Sequence, residues 1–210
     1  MRSNTLLVVF LFLFSNLSSQ VITENSKILP GQPPGLYYLP KDSSLGLIKL
    51  NLSQVVGNQA DGSISYGTGY SQKVFEKSLN GGKSKVQIVD SKPTFVLILD
   101  KNEKKDVNNW YFSMAKDPSE FIIIQLREKK GKRVFDTGKD NHKGGWGTSK
   151  HGIENKVKEA FEFSSTANNV FQIIFKQTLD VGEYCFIFSG TIPSEFNNDK
   201  VFDFGIAQSQ

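Results

Sequence analysis

The sequence predicts an all-β protein, a single Greek-key-like antiparallel β-sandwich. Short β-prone runs recur along the chain, separated by Gly, Pro and Asp turn chemistry at the spacing of a sandwich or barrel. Only Ile153, Val157 and Phe161 follow a helical spacing, and the alternation Val157, Glu159, Phe161, Phe163 competes with it among β-rich neighbours. The third observation is Leu179-Asp180-Val181-Gly182-Glu183-Tyr184, directly before an apolar strand. Its Leu-x-x-Gly-x-Tyr pattern resembles the tyrosine corner of Greek-key sandwiches, in which the Tyr hydroxyl returns to backbone a few residues upstream. Cys185 follows directly and has no partner cysteine, which sets the chain apart from antibody-type domains.

The elements follow in order. Arg2, the apolar run 6–14 and the small polar run 15–20 have the three regions of a secretory signal peptide. Residues 1–19 are expected to be a signal, cleaved near Ser19 or Gln20, and 20–210 a single domain. The apolar run is far shorter than the about 20 residues a membrane span needs, and no later run is longer, so no transmembrane segment is expected. The expected location is exported: periplasmic, outer-envelope or extracellular. A lone cysteine fits bacterial export better than the eukaryotic secretory route, although Asn51-Leu52-Ser53 is an N-glycosylation sequon.

Residues 36–39 and 45–50 surround a polar turn and read as a hairpin. Residues 51–72 are polar and Gly-rich and read as a long loop with room for one short strand. Strands are expected at 85–90, 94–99, 121–126, 133–135 after a turn at Gly131, 157–163, 170–175, 184–188 and 201–206. A second long loop is expected at 137–152. The runs 95–99, 122–124 and 186–188 are apolar on both faces, which implies central strands covered on both sides, by this chain's own long loops in preference to a partner.

Composition narrows the function classes. Of 25 basic residues only Arg2, Arg127 and Arg133 are arginines, and lysine lacks the guanidinium fork that grips phosphate and guanine, so nucleic acid is not an expected partner. One Cys and two His supply no multi-cysteine or histidine-rich metal centre. No cofactor and no catalytic residue is expected from any motif.

The chain also resembles a group of uncharacterised secreted bacterial proteins that are β-rich. The resemblance rests on Gly35-Leu36-Tyr37-Tyr38, Lys92-Pro93-x-Phe95, Ser119-Glu120-Phe121 and Thr137-Gly138-Lys139. It continues through Gly182-Glu183-Tyr184-x-Phe186, Gly190 and the closing Val201-Phe202-Asp203-Phe204-Gly205-Ile206. Val181 and Ala207 stand where similar proteins usually have Pro and an acidic residue. The resemblance implies an exported β-rich domain and carries over no catalytic residues.

Five segments invite chemistry. Gly81-Gly82-Lys83-Ser84 lacks the first Gly of a phosphate loop, because Lys77 stands there, and reads as a hairpin turn. Cys185, between Tyr184 and Phe186, reads as a buried, inert thiol. Asp136, Asp140, His142, His151 and Glu154 lack the spacing of a metal site and read as a solvated loop. Residues 127–133 read as a charged hairpin tip, with an anionic partner as the alternative. Trp146, in Gly144-Gly145-Trp146-Gly147, reads first as a plug over one end of the sandwich and second as a ligand platform. As a platform it would act with Lys139, Lys143 and Lys150 on a ligand with an apolar face and negative charge, such as an anionic glycan or another envelope component. The expected function is a non-catalytic binding module. The alternatives are a glycan-directed hydrolase with carboxylates that sequence does not select, and a structural or assembly subunit.

Overall fold

The computed structural model describes residues 31–65, 69–100, 110–143, 146–192 and 199–208. The expected signal segment lies outside the described residues, as do Gly144 and Gly145. The described chain is all-β. Its strands are β1 (Gly35–Leu39), β2 (Ile48–Lys49), β3 (Leu52–Ser65), β4 (Tyr70–Leu79), β5 (Gln87–Ile88), β6 (Thr94–Ile98), β7 (Phe121–Lys129) and β8 (Lys132–Lys143). There follow β9 (Trp146–His151), β10 (Lys158–Glu159), β11 (Phe161–Ala167), β12 (Val170–Phe175), β13 (Gly182–Phe188) and β14 (Lys200–Ile206), with one short α-helix, α1 (Trp110–Met114), and three single 3-10 turns among the described residues.

One layer is the sheet β11-β12-β6-β1-β2, antiparallel throughout. The other corrects the expectation of a single sandwich. The larger sheet runs β10-β7-β13-β14-β3-β4-β8-β9, and β7 also pairs with β8, so that β7-β13-β14-β3-β4-β8 closes into a six-stranded barrel. Local chemistry makes the closure. Lys130 and Gly131 have φ of 53° and 71°, the paired left-handed geometry of a two-residue hairpin turn, and fold β8 straight back on β7. Register shifts at Val56/Asn58 and Phe75/Glu76 add the bends that a rolled sheet needs.

Strand alternation then explains the doubly apolar runs. Tyr184, Phe186 and Phe188 of β13 and Phe202, Phe204 and Ile206 of β14 face the five-stranded sheet, meeting Phe95, Leu97, Ile173 and Phe175. Phe95 lies 4.8 Å from Phe204 and 5.1 Å from Phe186, ring centre to ring centre. The alternate residues Cys185, Ile187 and Val201 point into the barrel with Val55, Leu79, Ile124, Leu126 and Phe135. On β6, Val96 and Ile98 form a third cluster with Tyr37, packed by Leu39, Leu47 and Val170. These strands are therefore covered by the chain itself, but by its packed β layers and barrel interior and not by the long loops expected.

The corner is present: Tyr184 Oη donates to the Asp180 carbonyl at 2.9 Å. Helix α1, for which the sequence has no period, drops Trp110, Tyr111 and Phe112 onto the aromatic core beside Phe188 and Phe202. The strand expected at 85–90 shrinks to β5, which pairs parallel with β14. Both expected long loops are corrected. Residues 51–72 hold all of β3 and the start of β4, and 137–152 hold the end of β8 and all of β9. Together these four strands extend the barrel wall as a wing in the order β3-β4-β8-β9.

Candidate functional site

The wing obeys the period of two that every strand obeys, so its register decides which side chains meet. Along β4 and β8 the partners are Tyr70 with Lys143, Gln72 with Asn141, and Val74 with Lys139. Across β8 and β9 they are Lys139 with Lys150, Asn141 with Thr148, and Lys143 with Trp146. All of these share the face that continues the outer wall of the barrel. The structure thus brings Trp146, Lys139, Lys143 and Lys150 onto one surface. Trp146 is 86% exposed, so it does not plug the sandwich.

Two features of this face are costly for a surface that meets only water. An exposed indole leaves a large apolar area hydrated. Lys139 sits directly opposite Lys150, and like charges in that position repel. The nearby carboxylate of Glu154 is taken up by Lys156, 2.6 Å away. That contact holds it below the usual carboxylate range, with smaller contributions from Lys139 and Lys150.

Sequence reasoning missed three residues here, Tyr70, Gln72 and Asn141. Gln72 Nε2 donates to Asn141 Oδ1 at 2.8 Å and to Tyr70 Oη at 3.2 Å, and Tyr70 Oη donates to Asn141 Oδ1 at 3.1 Å. The alternation Tyr70, Gln72, Val74 was their only signal, and it names no partner strand. Beyond them the face dips into a groove of about 320 Å³ lined by Gln72, Val74, Glu76, Arg127, Lys129 and Asp136.

That groove resolves the basic segment 127–133. Arg127 pairs with Glu76 at 3.2 Å and with Asp136, and Lys129 reaches Glu76 at 2.8 Å. Arg133 is buried inside the barrel against Asp203, which also accepts from Ser53. Much of the segment's charge is therefore matched internally. The residues weighed as metal ligands divide as well: Asp136 lies on the outer face with Arg127, and Asp140, His142 and His151 project from the opposite face of the wing.

Gly81-Gly82-Lys83-Ser84 is a turn, but it joins β4 to β5 and forms no hairpin. The carbonyls of Asn80 and Gly81 accept from Arg133 at 3.2 and 3.1 Å, and Ser84 Oγ donates to the Asp203 carbonyl at 3.0 Å. It caps a buried cation, the reverse of a phosphate cradle. Cys185 is fully buried, and burial pushes its thiol well above the usual range.

A wider cleft of about 740 Å³ opens at the barrel mouth, lined in part by Lys83, Gln87, Glu128, Glu183 and Gln208. Both oxygens of Glu183 are engaged, one by the Ser84 amide at 2.6 Å and the other by Gln87 at 3.1 Å. A carboxylate so held is a structural acceptor and is poorly placed to exchange a proton with a substrate. Among the described residues no helix is long and apolar enough to cross a membrane. No protein-family model matches the chain, and neither a curated protein nor a solved structure matches it.

Proposed function

We propose that the protein is an exported, non-catalytic module that binds an anionic glycan of the envelope on the outer face of its wing. The observation that carries this reading is the register that sets the exposed Trp146 beside Lys143, two steps along the same face from the Lys139–Lys150 pair. An indole offers a flat apolar surface to a sugar ring, and ammonium groups attract carboxylates or sulfates over a distance that salt shortens. The strands that suggested an assembly subunit are buried between this chain's own layers. The carboxylate best placed for a hydrolase, Glu183, is already occupied.

The test is binding to a panel of acidic glycans. Trp146→Ala abolishes binding and leaves the melting temperature nearly unchanged, because the side chain it removes is exposed. Lys139→Gln with Lys150→Gln weakens binding and flattens its dependence on salt. A Trp146→Ala variant that melts markedly lower, or that binds as well as the parent, overturns the reading.

A further inference from the structure

We infer that Tyr70, Gln72 and Asn141 are the hydroxyl-reading centre of this surface, so that its ligand is a polyhydroxylated acidic chain lying along β4 and β8 and not any polyanion. The inference rests on the binding reading above and adds to it the residues that choose a sugar over other anions.

The three side chains close a triangle of hydrogen bonds, which spends both protons of the Gln72 amide, the Tyr70 proton and the Asn141 carbonyl oxygen on one another. Gln72 Oε1 and the Asn141 Nδ2 protons have no partner among the described residues. One acceptor and one donor therefore stand side by side on neighbouring strands, held in place before any ligand arrives. A hydroxyl both gives and takes a hydrogen bond, so adjacent sugar hydroxyls satisfy both groups at once. A ligand made only of carboxylate or phosphate oxygens accepts from Asn141 and leaves Gln72 Oε1 facing negative charge.

The surroundings repeat this logic along the strand. Lys139 and Lys143 flank Asn141 on β8, each two residues away, or about 7 Å at the rise of an extended chain. Trp146 closes one end opposite Lys143. At the other end Val74 sits in the groove bounded by the ion pairs of Glu76, Arg127 and Asp136. From Asp136 to Lys143 the face is on the order of 20 Å long. It alternates cation, hydroxyl reader and cation, which matches a polymer whose hydroxyls lie between carboxylates.

Three probes and two variants test this: polygalacturonate, poly-L-glutamate and phosphatidylglycerol vesicles against the full chain. The expected result is that the parent prefers polygalacturonate. Gln72→Ala with Asn141→Ala lowers that affinity about tenfold and leaves the weaker poly-L-glutamate binding unchanged. Tyr70→Phe, which keeps the ring and removes the hydroxyl that donates to Asn141 and accepts from Gln72, produces a smaller loss in the same direction and covers the case in which the double variant is unstable. Equal affinity of the parent for all three probes overturns the inference while leaving an anion-binding face in place. Unchanged polygalacturonate binding in both variants also overturns it. A parent that binds none of the probes removes the binding reading itself.

Discussion

Tyr184 shows how one hydroxyl fixes a crossover. Its ring is fully buried and stacked on Phe204 at 5.4 Å, and its Oη reaches back four residues to the Asp180 carbonyl. Tyr37 makes the same reach to the Pro33 carbonyl at 2.7 Å, in a segment that keeps the Gly-x-Tyr of the pattern at Gly35 and Tyr37 and has Gln32 in place of the Leu. Tyr184→Phe keeps the ring and strands that carbonyl, at a cost of about 1 kcal/mol or somewhat more in chemical denaturation. An unchanged midpoint would show the bond to be without consequence. The same residue gives the protein an alkaline limit. Burial pushes the hydroxyls of Tyr184 and Tyr111 up to about 12 from an ordinary 10.0, with smaller contributions from nearby carboxylates. Between those values the folded chain keeps protons that the unfolded chain has released, so stability is intact below pH 10 and falls as pH rises toward 12. Each tyrosine contributes a slope of about 1.4 kcal/mol per pH unit. Denaturation midpoints that stay flat across that window would contradict this, and Tyr184→Phe should reduce the slope.

At the scale of elements, the barrel depends on the turn that returns β8 along β7. Gly131 at φ 71° has open space where a Cβ would go, so replacing it meets no clash and costs only the left-handed backbone. Gly131→Ala is expected to destabilise by about 1 kcal/mol, and Lys130→Asn to be neutral or slightly stabilising because Asn tolerates that conformation. Equal midpoints for Gly131→Ala and the parent would mean that closure does not rely on the turn. The wing is expected to be the first element to open. Its side chains are mostly exposed or half-buried, whereas β13 and β14 lie between two cores. Amide exchange should be fast on β9 and slowest on β13, and the reverse order would be inconsistent with this layering. The same contrast governs what could be read from sequence. The strands β6, β12, β13 and β14 were legible because burial writes apolar residues into them. The wing was not, since a strand polar on both faces has no hydrophobic period and looks like a loop. The four site residues were visible as an aromatic among lysines. Their common face, and the Tyr70, Gln72 and Asn141 triangle, required a register that no local pattern records. Helix α1 was hidden for a related reason: Trp110-Tyr111-Phe112 is β-prone, and five residues are too few to show a helical period.

The whole molecule joins a barrel to a sheet by sharing β7, β13 and β14 between two cores, and both proposals about the molecule as a whole can be checked. Export requires that the native protein begin near Gln20, which mass spectrometry of the protein isolated from its source would show; an intact Met1 on the mature chain would sink that part of the reading. Stability of the whole should depend on the charged cluster inside the barrel, in which Arg133 pairs with Asp203 and lies 3.6 Å from Glu183. Arg133 and Asp203 are 3% and 2% exposed and link β8 to β14 across the interior, with Ser53 on Asp203 and the carbonyls of Asn80 and Gly81 on Arg133. Removing Arg133 leaves the buried Asp203 without its counterion, whereas removing the Asp203 charge leaves Arg133 with only the more distant and less buried Glu183. Arg133→Met is expected to cost about 3–5 kcal/mol, and Asp203→Asn less, because Glu183 stays beside Arg133. Replacing both should cost clearly less than the sum, since the second change removes the charge that the first one stranded. Urea denaturation of the four proteins measures this coupling directly. If the double variant is as unstable as the two singles added together, the pair acts as two independent side chains, and β8 must be held to β14 by the apolar lining of Val55, Leu79, Phe135 and Val201 alone.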